Sequence, residues 1–141
     1  MTESQVIASL GQPTKQHTAD DGDKVFCYHD LGIAVEFEPT NEGRLGWMSI
    51  VSPHAELWGR RVLNRRRAEL EPFVDQHLSE SKSEDDFGSW TSLTWDDSWL
   101  ELQFTLDHLS QINLGVPYGE DNAPIWPLHD ANGEQAEPLK P

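Results

Sequence analysis

The sequence predicts an α+β fold in which two helix-strand-strand-strand repeats build one antiparallel sheet with helices on one face. Three observations predict it: an internal repeat, period-two alternation within each copy, and a helix-like segment ahead of each copy. The stretch "YHDLGIAVEF" (28–37) lies over "WDDSWLELQF" (95–104) at an offset of 67. Tyr28 meets Trp95, Asp30 meets Asp97, and Ile33, Val35 and Phe37 meet Leu100, Leu102 and Phe104. Further on, "LGWMSIVSP" (45–53) lies over "LSQINLGVP" (109–117) at an offset of 64, the intervening loop being shorter in the second copy.

The elements follow in order. "TESQVIASLG" (2–11) reads as a helix. Phe26 and Tyr28 share one strand face and lead to a turn at Asp30-Leu31-Gly32. Ile33, Val35 and Phe37 continue that face, while Ala34, Glu36 and Glu38 point the other way. "PTNEG" (39–43) has the residue types of a chain reversal, and 45–53 forms the third strand. The connector spans 54–67, and "AELEPFVDQHL" (68–78) is the second helical segment. Pro72 removes a helical hydrogen bond, so this segment is expected to split into two short helices meeting near Glu71, one starting at Pro72. In the second copy Leu93 and Trp95 precede the turn at Asp96-Asp97-Ser98. Leu100, Leu102, Phe104 and Leu106 then face the core, opposite Trp99, Glu101, Gln103 and Thr105. The expected organisation is a single domain over 1–126, with repeat one at 3–53 and repeat two at 68–117, followed by a flexible proline-rich tail over 127–141.

A chain of 141 residues buries about 70% of its unfolded surface, enough to fold without a staple. The lone cysteine, Cys27, excludes an internal disulfide and a cysteine zinc site, and reads as a small core or sheet residue. Met1-Thr2-Glu3-Ser4-Gln5 lacks the basic and apolar parts of a secretory signal, and no run approaches eighteen apolar residues. A soluble cytoplasmic protein is the expectation. The six histidines show no metal-binding spacing; His29 beside Asp30 and His108 beside Asp107 read as solvated turn pairs. "DDGD" (20–23) lacks the length and terminal glutamate of an EF-hand loop. There is no GxSxG, glycine-rich phosphate loop or Ser/His/Asp arrangement, so neither a catalytic residue nor a cofactor is implied.

Charge carries the functional signal. Residues 1–58 hold nine acids and three bases, for −6; residues 59–68 hold +5; residues 69–141 hold sixteen acids and two lysines, for −14. A net charge of −15 repels phosphate backbones and attracts basic surfaces. Arg60, Arg61, Arg65, Arg66 and Arg67 form a brief basic strip among Glu56, Glu69, Glu71 and Asp75. Helical spacing pairs Arg65 with Glu69 and Arg67 with Glu71, so the strip reads as structural rather than as a nucleic-acid surface.

By the strand register, the face without helices carries Glu36, Glu38, Trp47, Ser49, Trp99, Glu101, Gln103, Gln111 and Asn113. Two tryptophans among carboxylates resemble anchors inside an acidic rim, and Asp96 and Asp97 adjoin them. Packing of both tryptophans under helix or tail residues is the alternative, and a one-residue register slip would exchange the faces. In these repeats, "YHDLGIAVEF" and "WDDSWLELQF", and in this acidic face the chain resembles small bacterial inhibitor proteins, especially polymorphic-toxin immunity proteins, and the tandem-repeat architecture of β-lactamase inhibitory protein. The resemblance is architectural and spans residues 3–117. It implies a binding protein that neutralises a basic protein partner. The register and acidity of the face, not the resemblance, point to Trp47, Trp99, Glu36, Glu38, Glu101, Asp96, Asp97 and Gln103 as contact residues, while the charge distribution argues against nucleic acid and the lack of an apolar run against a membrane. A ligand-binding domain or small enzyme using the same face as a pocket, or an inhibitor mimicking DNA charge, remain the competing expectations.

Overall fold

Thr2 begins the first helix by closing a reciprocal cap. Its hydroxyl accepts from the Gln5 amide at 3.3 Å, and the Gln5 side chain accepts from the Thr2 amide at 2.9 Å. Such a cap is worth about 1 kcal/mol. In the computed structural model, which describes residues 1–39 and 43–115, helix α1 (Glu3–Leu10) ends at Gly11 with φ 85°. Strands β1 (Lys15–Thr18), β2 (Lys24–Tyr28), β3 (Ile33–Glu38) and β4 (Arg44–Ile50) follow. A two-stranded hairpin, β5 (Glu56–Leu57) and β6 (Arg60–Arg61), leads to helix α2 (Arg67–His77). Strands β7 (Lys82–Asp86), β8 (Trp90–Trp95), β9 (Leu100–Thr105) and β10 (His108–Gly115) complete the described chain.

The fold is α+β, as the sequence predicts, with one antiparallel sheet of eight strands in the order β1-β2-β3-β4-β10-β9-β8-β7. Each helix is followed by four strands of this sheet rather than the expected three. The additional strands, β1 and β7, form the two sheet edges, and every one of their residues is exposed. A fully solvated edge strand carries no apolar alternation to betray it, and the lysines and acids of "KQHT" and "KSEDD" discourage edge-to-edge pairing.

The halves meet where β4 pairs with β10, through Ile50–Ile112, Ser49–Asn113, Met48–Leu114 and Trp47–Gly115. Across the sheet, Phe26, Val35, Met48, Leu114, Leu100 and Trp95 stand in one row, and Ile33, Ile50, Ile112, Leu102 and Leu93 in the next. Val6 of α1 clusters with Phe26, Tyr28, Val35 and Phe37. Leu70 and Val74 of α2 cluster with Trp95, Leu100, Leu102, Phe104 and their neighbours. These rows are the alternating residues of the sequence, and their burial is the main favourable term in folding.

Helix α2 runs unbroken through Pro72, which corrects the expected pair of short helices. Pro72 stands in mid-helix, where it removes the single bond to Ala68; buried Leu70 and Val74 lie on either side and keep the helix on its core face. The connector is likewise ordered. Trp58 and Gly59 turn the hairpin with left-handed φ values of 49° and 80°. Trp58 stacks on His77 at 4.3 Å and meets Phe73 edge-on, while Leu57 and Val62 enter the core.

The arginine strip pairs locally. Arg65 reaches Glu69 at 3.8 Å and Arg67 reaches Glu71 at 3.2 Å, both at the spacing read from the sequence. Arg60 lies 3.6 Å from Glu69 and 5.0 Å from the Phe73 ring centre. Among the described residues no helix is long and apolar enough to cross a membrane. The proline-rich tail expected at 127–141 lies outside the described residues.

Candidate functional site

Strand alternation sends one set of side chains into the core and the other to the opposite face. Glu36 stands beside Trp47, Trp47 beside Gly115, Ser49 beside Asn113, and Asn113 beside Glu101. Two glycines then make room for large side chains. A methyl group built at Gly115 would overlap the Trp99 indole and come within 3.0 Å of Trp47 Cε3. One built at Gly46 would overlap the Glu38 side chain. Neither glycine is required by a left-handed backbone; each is required by what lies over it.

The result is a cleft of about 230 Å³, floored by Gly46 and Gly115 and walled by Trp47, Trp99, Glu36, Glu38 and Asp23. Trp47 donates its indole N–H to Ser49 Oγ at 3.2 Å, which fixes the ring on the sheet. Trp99 is held differently. It follows the turn after β8 with φ 50°, and its carbonyl accepts from the Gly115 amide at 3.0 Å. A bulky residue in the left-handed region costs on the order of 1–3 kcal/mol and persists only where its surroundings over-determine it.

The walls are electrostatically crowded. Partial burial raises the Glu36 carboxyl above its ordinary range, and Asp23, Asp21 and Glu38 add to the rise while His17 opposes it. Asp23 is raised by burial first, then by Asp21 and Glu38. Both shifts disfavour the charged carboxylate, so added positive charge in the cleft would be welcomed.

Next to the cleft runs a polar ladder. Asn113, with 1% exposure, donates to Glu101 Oε1 at 2.6 Å. Gln103 donates to the same oxygen at 3.1 Å, and Gln111 donates to Asn113 Oδ1 at 2.7 Å. Glu101 is therefore an acceptor organised by amides, and among the predicted contact residues it and Gln103 belong to this ladder rather than to the cleft.

The structure thus gathers Trp47, Trp99, Glu36 and Glu38 into one cleft and sets Glu101 and Gln103 beside it. Asp96 turns instead to the sheet edge, where it accepts from Ser83 Oγ at 2.8 Å, and Asp97 is an exposed turn residue. Sequence reasoning missed Asp23, Gly46 and Gly115. Asp23 was read with the acidic loop 20–23, and a glycine that makes space leaves no mark on a hydrophobic pattern.

A larger hollow of about 630 Å³ lies beside the start of α2, with Arg66, Arg67 and His108 in its lining. Arg67 there is engaged with Glu84 and Glu71, and those partners hold the guanidinium firmly charged. Among the described residues no group of three or more His, Cys, Asp or Glu side chains could hold a metal ion.

No family model matches the chain, and no curated protein sequence matches it. Among solved structures it is similar to an extracellular protein containing an SCP domain from Bacillus anthracis, with a TM-score of 0.55 and 13% identity. That match covers 81% of this chain and 42% of the other, so the chain spans less than half of that protein's length. The likeness is one of fold alone.

Proposed function

We propose that this chain is a cytoplasmic binding protein, without a reaction of its own, that neutralises a basic protein: an immunity protein inhibiting a secreted, nuclease-type bacterial toxin. The observation that carries the reading is the cleft, in which two tryptophans and three carboxylates converge on the face opposite the core, in a chain of net charge −15. The reading takes the two helix-and-strand runs as a tandem repeat with both helices behind the sheet. That leaves the front for a partner; the clusters of Val6 and of Leu70 with Val74 support it.

Toxins that cleave nucleic acid hold phosphates with lysine and arginine, and an acidic surface complements such a cleft. Opposite charge accelerates encounter, and buried aromatic anchors slow release. A small-molecule pocket or enzyme site is the second reading. The cleft's 230 Å³ falls below the roughly 300–1,000 Å³ of ligand pockets and suits one side chain better. A mimic of DNA charge would share the acidity but depend less on tryptophan and more on salt.

Affinity capture of the tagged chain from its own host, at low and moderate salt, tests the proposal. One basic protein retained at moderate salt supports it. Recovery of no protein at either salt, with thermal stabilisation by small metabolites, would favour the second reading.

A further inference from the structure

The two halves of the sheet present equivalent places on the front face, and the one between Trp47 and Trp99 is the cleft. In the repeat alignment Trp99 takes the position of Gly32, Gly115 that of Val51, Trp47 that of Gln111, and Glu36 and Glu38 those of Gln103 and Thr105. The backbone is the same in both. The Val51 amide donates to the Gly32 carbonyl at 2.8 Å, as the Gly115 amide donates to the Trp99 carbonyl at 3.0 Å. Gly32 and Trp99 share the left-handed conformation, with φ 65° and 50°. Glycine suits that conformation and tryptophan does not. The second half thus moves the bulk from the strand to the turn, laying an indole over a bare glycine and beside a second indole. Around it Glu36 and Glu38 stand in place of Gln103 and Thr105, and the second indole, Trp47, in place of Gln111.

We infer that the cleft between Trp47 and Trp99 is a receptor for one guanidinium group, the tip of an arginine on the basic partner. The inference rests on the proposed function and names the chemistry of its anchor. Indole faces attract cations, and guanidinium, being flat and weakly hydrated, stacks on them better than a hydrated ammonium. Its edge carries five N–H donors, which the Glu36 and Asp23 carboxylates can accept. The crowding of these carboxylates by Asp21 and Glu38 is relieved when a cation enters. The cleft is small enough to hold one such group and too small for a helix or a base pair. A point charge alone would be served equally by the exposed acids of edge strand β7.

The test uses the full chain and three probes: N-acetyl-arginine methylamide, its lysine counterpart, and its citrulline counterpart, which has the shape of arginine without the charge. Indole N–H resonances of Trp47 and Trp99 are followed by NMR during titration. The inference expects saturable shifts of both indoles with arginine, at a dissociation constant on the order of 1–10 mM. Lysine should bind at least about threefold more weakly and citrulline not measurably. Glu36→Gln should weaken arginine at least threefold, and Trp99→Gly should abolish it; Asp85→Asn, on the exposed edge strand β7, should leave it unchanged. Equal binding of arginine and lysine, or of arginine and citrulline, or shifts confined to other residues, overturns the inference. The proposed function fails separately: arginine filling the cleft while no basic protein is captured would sink that reading and leave the receptor standing. A captured basic partner indifferent to Trp99→Gly would do the reverse.

Discussion

The first half of the sheet closes its turn with Gly32 under Val51, and the second closes the same turn with Trp99 over Gly115. At Gly32 a side chain would come within 2.9 Å of the Ser52 amide nitrogen, so that turn is built for packing. At Trp99 the strained backbone is accepted and the bulk displayed beside Trp47. The halves differ on the core side as well. In the first, the buried Tyr28 donates to the Gly11 carbonyl at 2.9 Å, and Lys24 pairs with Glu3 at 2.9 Å. In the second, the fully buried Trp95 donates to Asp75 at 3.1 Å, and Lys82 bridges Glu71 and Asp75 at 2.6 and 2.9 Å. One pair of backbone plans thus carries two allocations: the second half has the heavier structural anchor behind the sheet and contributes the strained indole in front. Strain on one side is tolerable because the other side is well tied.

That contrast can be broken in order of size. Trp95→Ala should cost about 3–5 kcal/mol, because it empties a fully buried site and leaves Asp75 without its indole donor. Tyr28→Phe, which removes only a hydroxyl, should cost about 1 kcal/mol. Denaturant titration of both variants checks the ranking, and equal losses would erase the claimed difference in anchoring.

If the chain binds the basic partner proposed above, Trp99→Gly should weaken that capture at least about tenfold while changing stability by no more than about 1 kcal/mol, since relief of left-handed strain offsets the lost contact with Gly115. A large fall in melting temperature would mean that Trp99 serves folding.

Lys82→Met should cost about 1 kcal/mol, and Lys24→Met at most about 0.5, because the first loses two carboxylate partners and the second one exposed pair. The pH dependence of the first is fixed in sign. Lys82 lowers the Glu71 and Asp75 carboxyls below their ordinary range, with Arg67 assisting at Glu71 and the Trp95 indole at Asp75. Their contribution is therefore present above the ordinary carboxylate range and lost as pH falls through the folded-state values. The difference in melting temperature between wild type and Lys82→Met should shrink on acidification.

The smallest effect has the opposite sign. The Glu36 carboxyl is raised by burial and by its acidic neighbours, so the folded state takes up its proton more readily than the unfolded chain. Glu36→Gln should raise the melting temperature slightly at pH 7, and the advantage should vanish once pH drops below the raised value. A stabilisation that grew with acidification would contradict the crowding.

The sheet was legible because its central strands bury one face: Ile33, Val35, Phe37 and Leu100, Leu102, Phe104 alternate with polar residues, and the same alternation gave the front-face side chains. The i, i+4 pairs of Arg65 and Arg67 were legible from spacing. Edge strands β1 and β7 were not, since no residue in them is buried. The β5–β6 hairpin escaped because two-residue strands have no period, and its Trp58-Gly59 turn reads like any loop. Pro72 was over-read, because burial of Leu70 and Val74 outweighs one lost hydrogen bond. In the site, alternation revealed Trp47 and Glu36, but the space above Gly46 and Gly115 exists only once β3, β4, β10 and the Trp99 turn are assembled.

The central claim is that the second half gave up packing at the Trp99 turn for binding. The triple substitution Trp99→Gly, Gly115→Val and Trp47→Gln writes the equivalent place's Gly32, Val51 and Gln111 into the cleft and removes the indole that a side chain at 115 would meet at 3.0 Å. Thermal melting and capture of the proposed basic partner, beside wild type, decide the matter. The account predicts a melting temperature within about 4 °C of wild type and loss of the partner. Partner retained by a folded triple variant, or a variant that no longer folds, would contradict it.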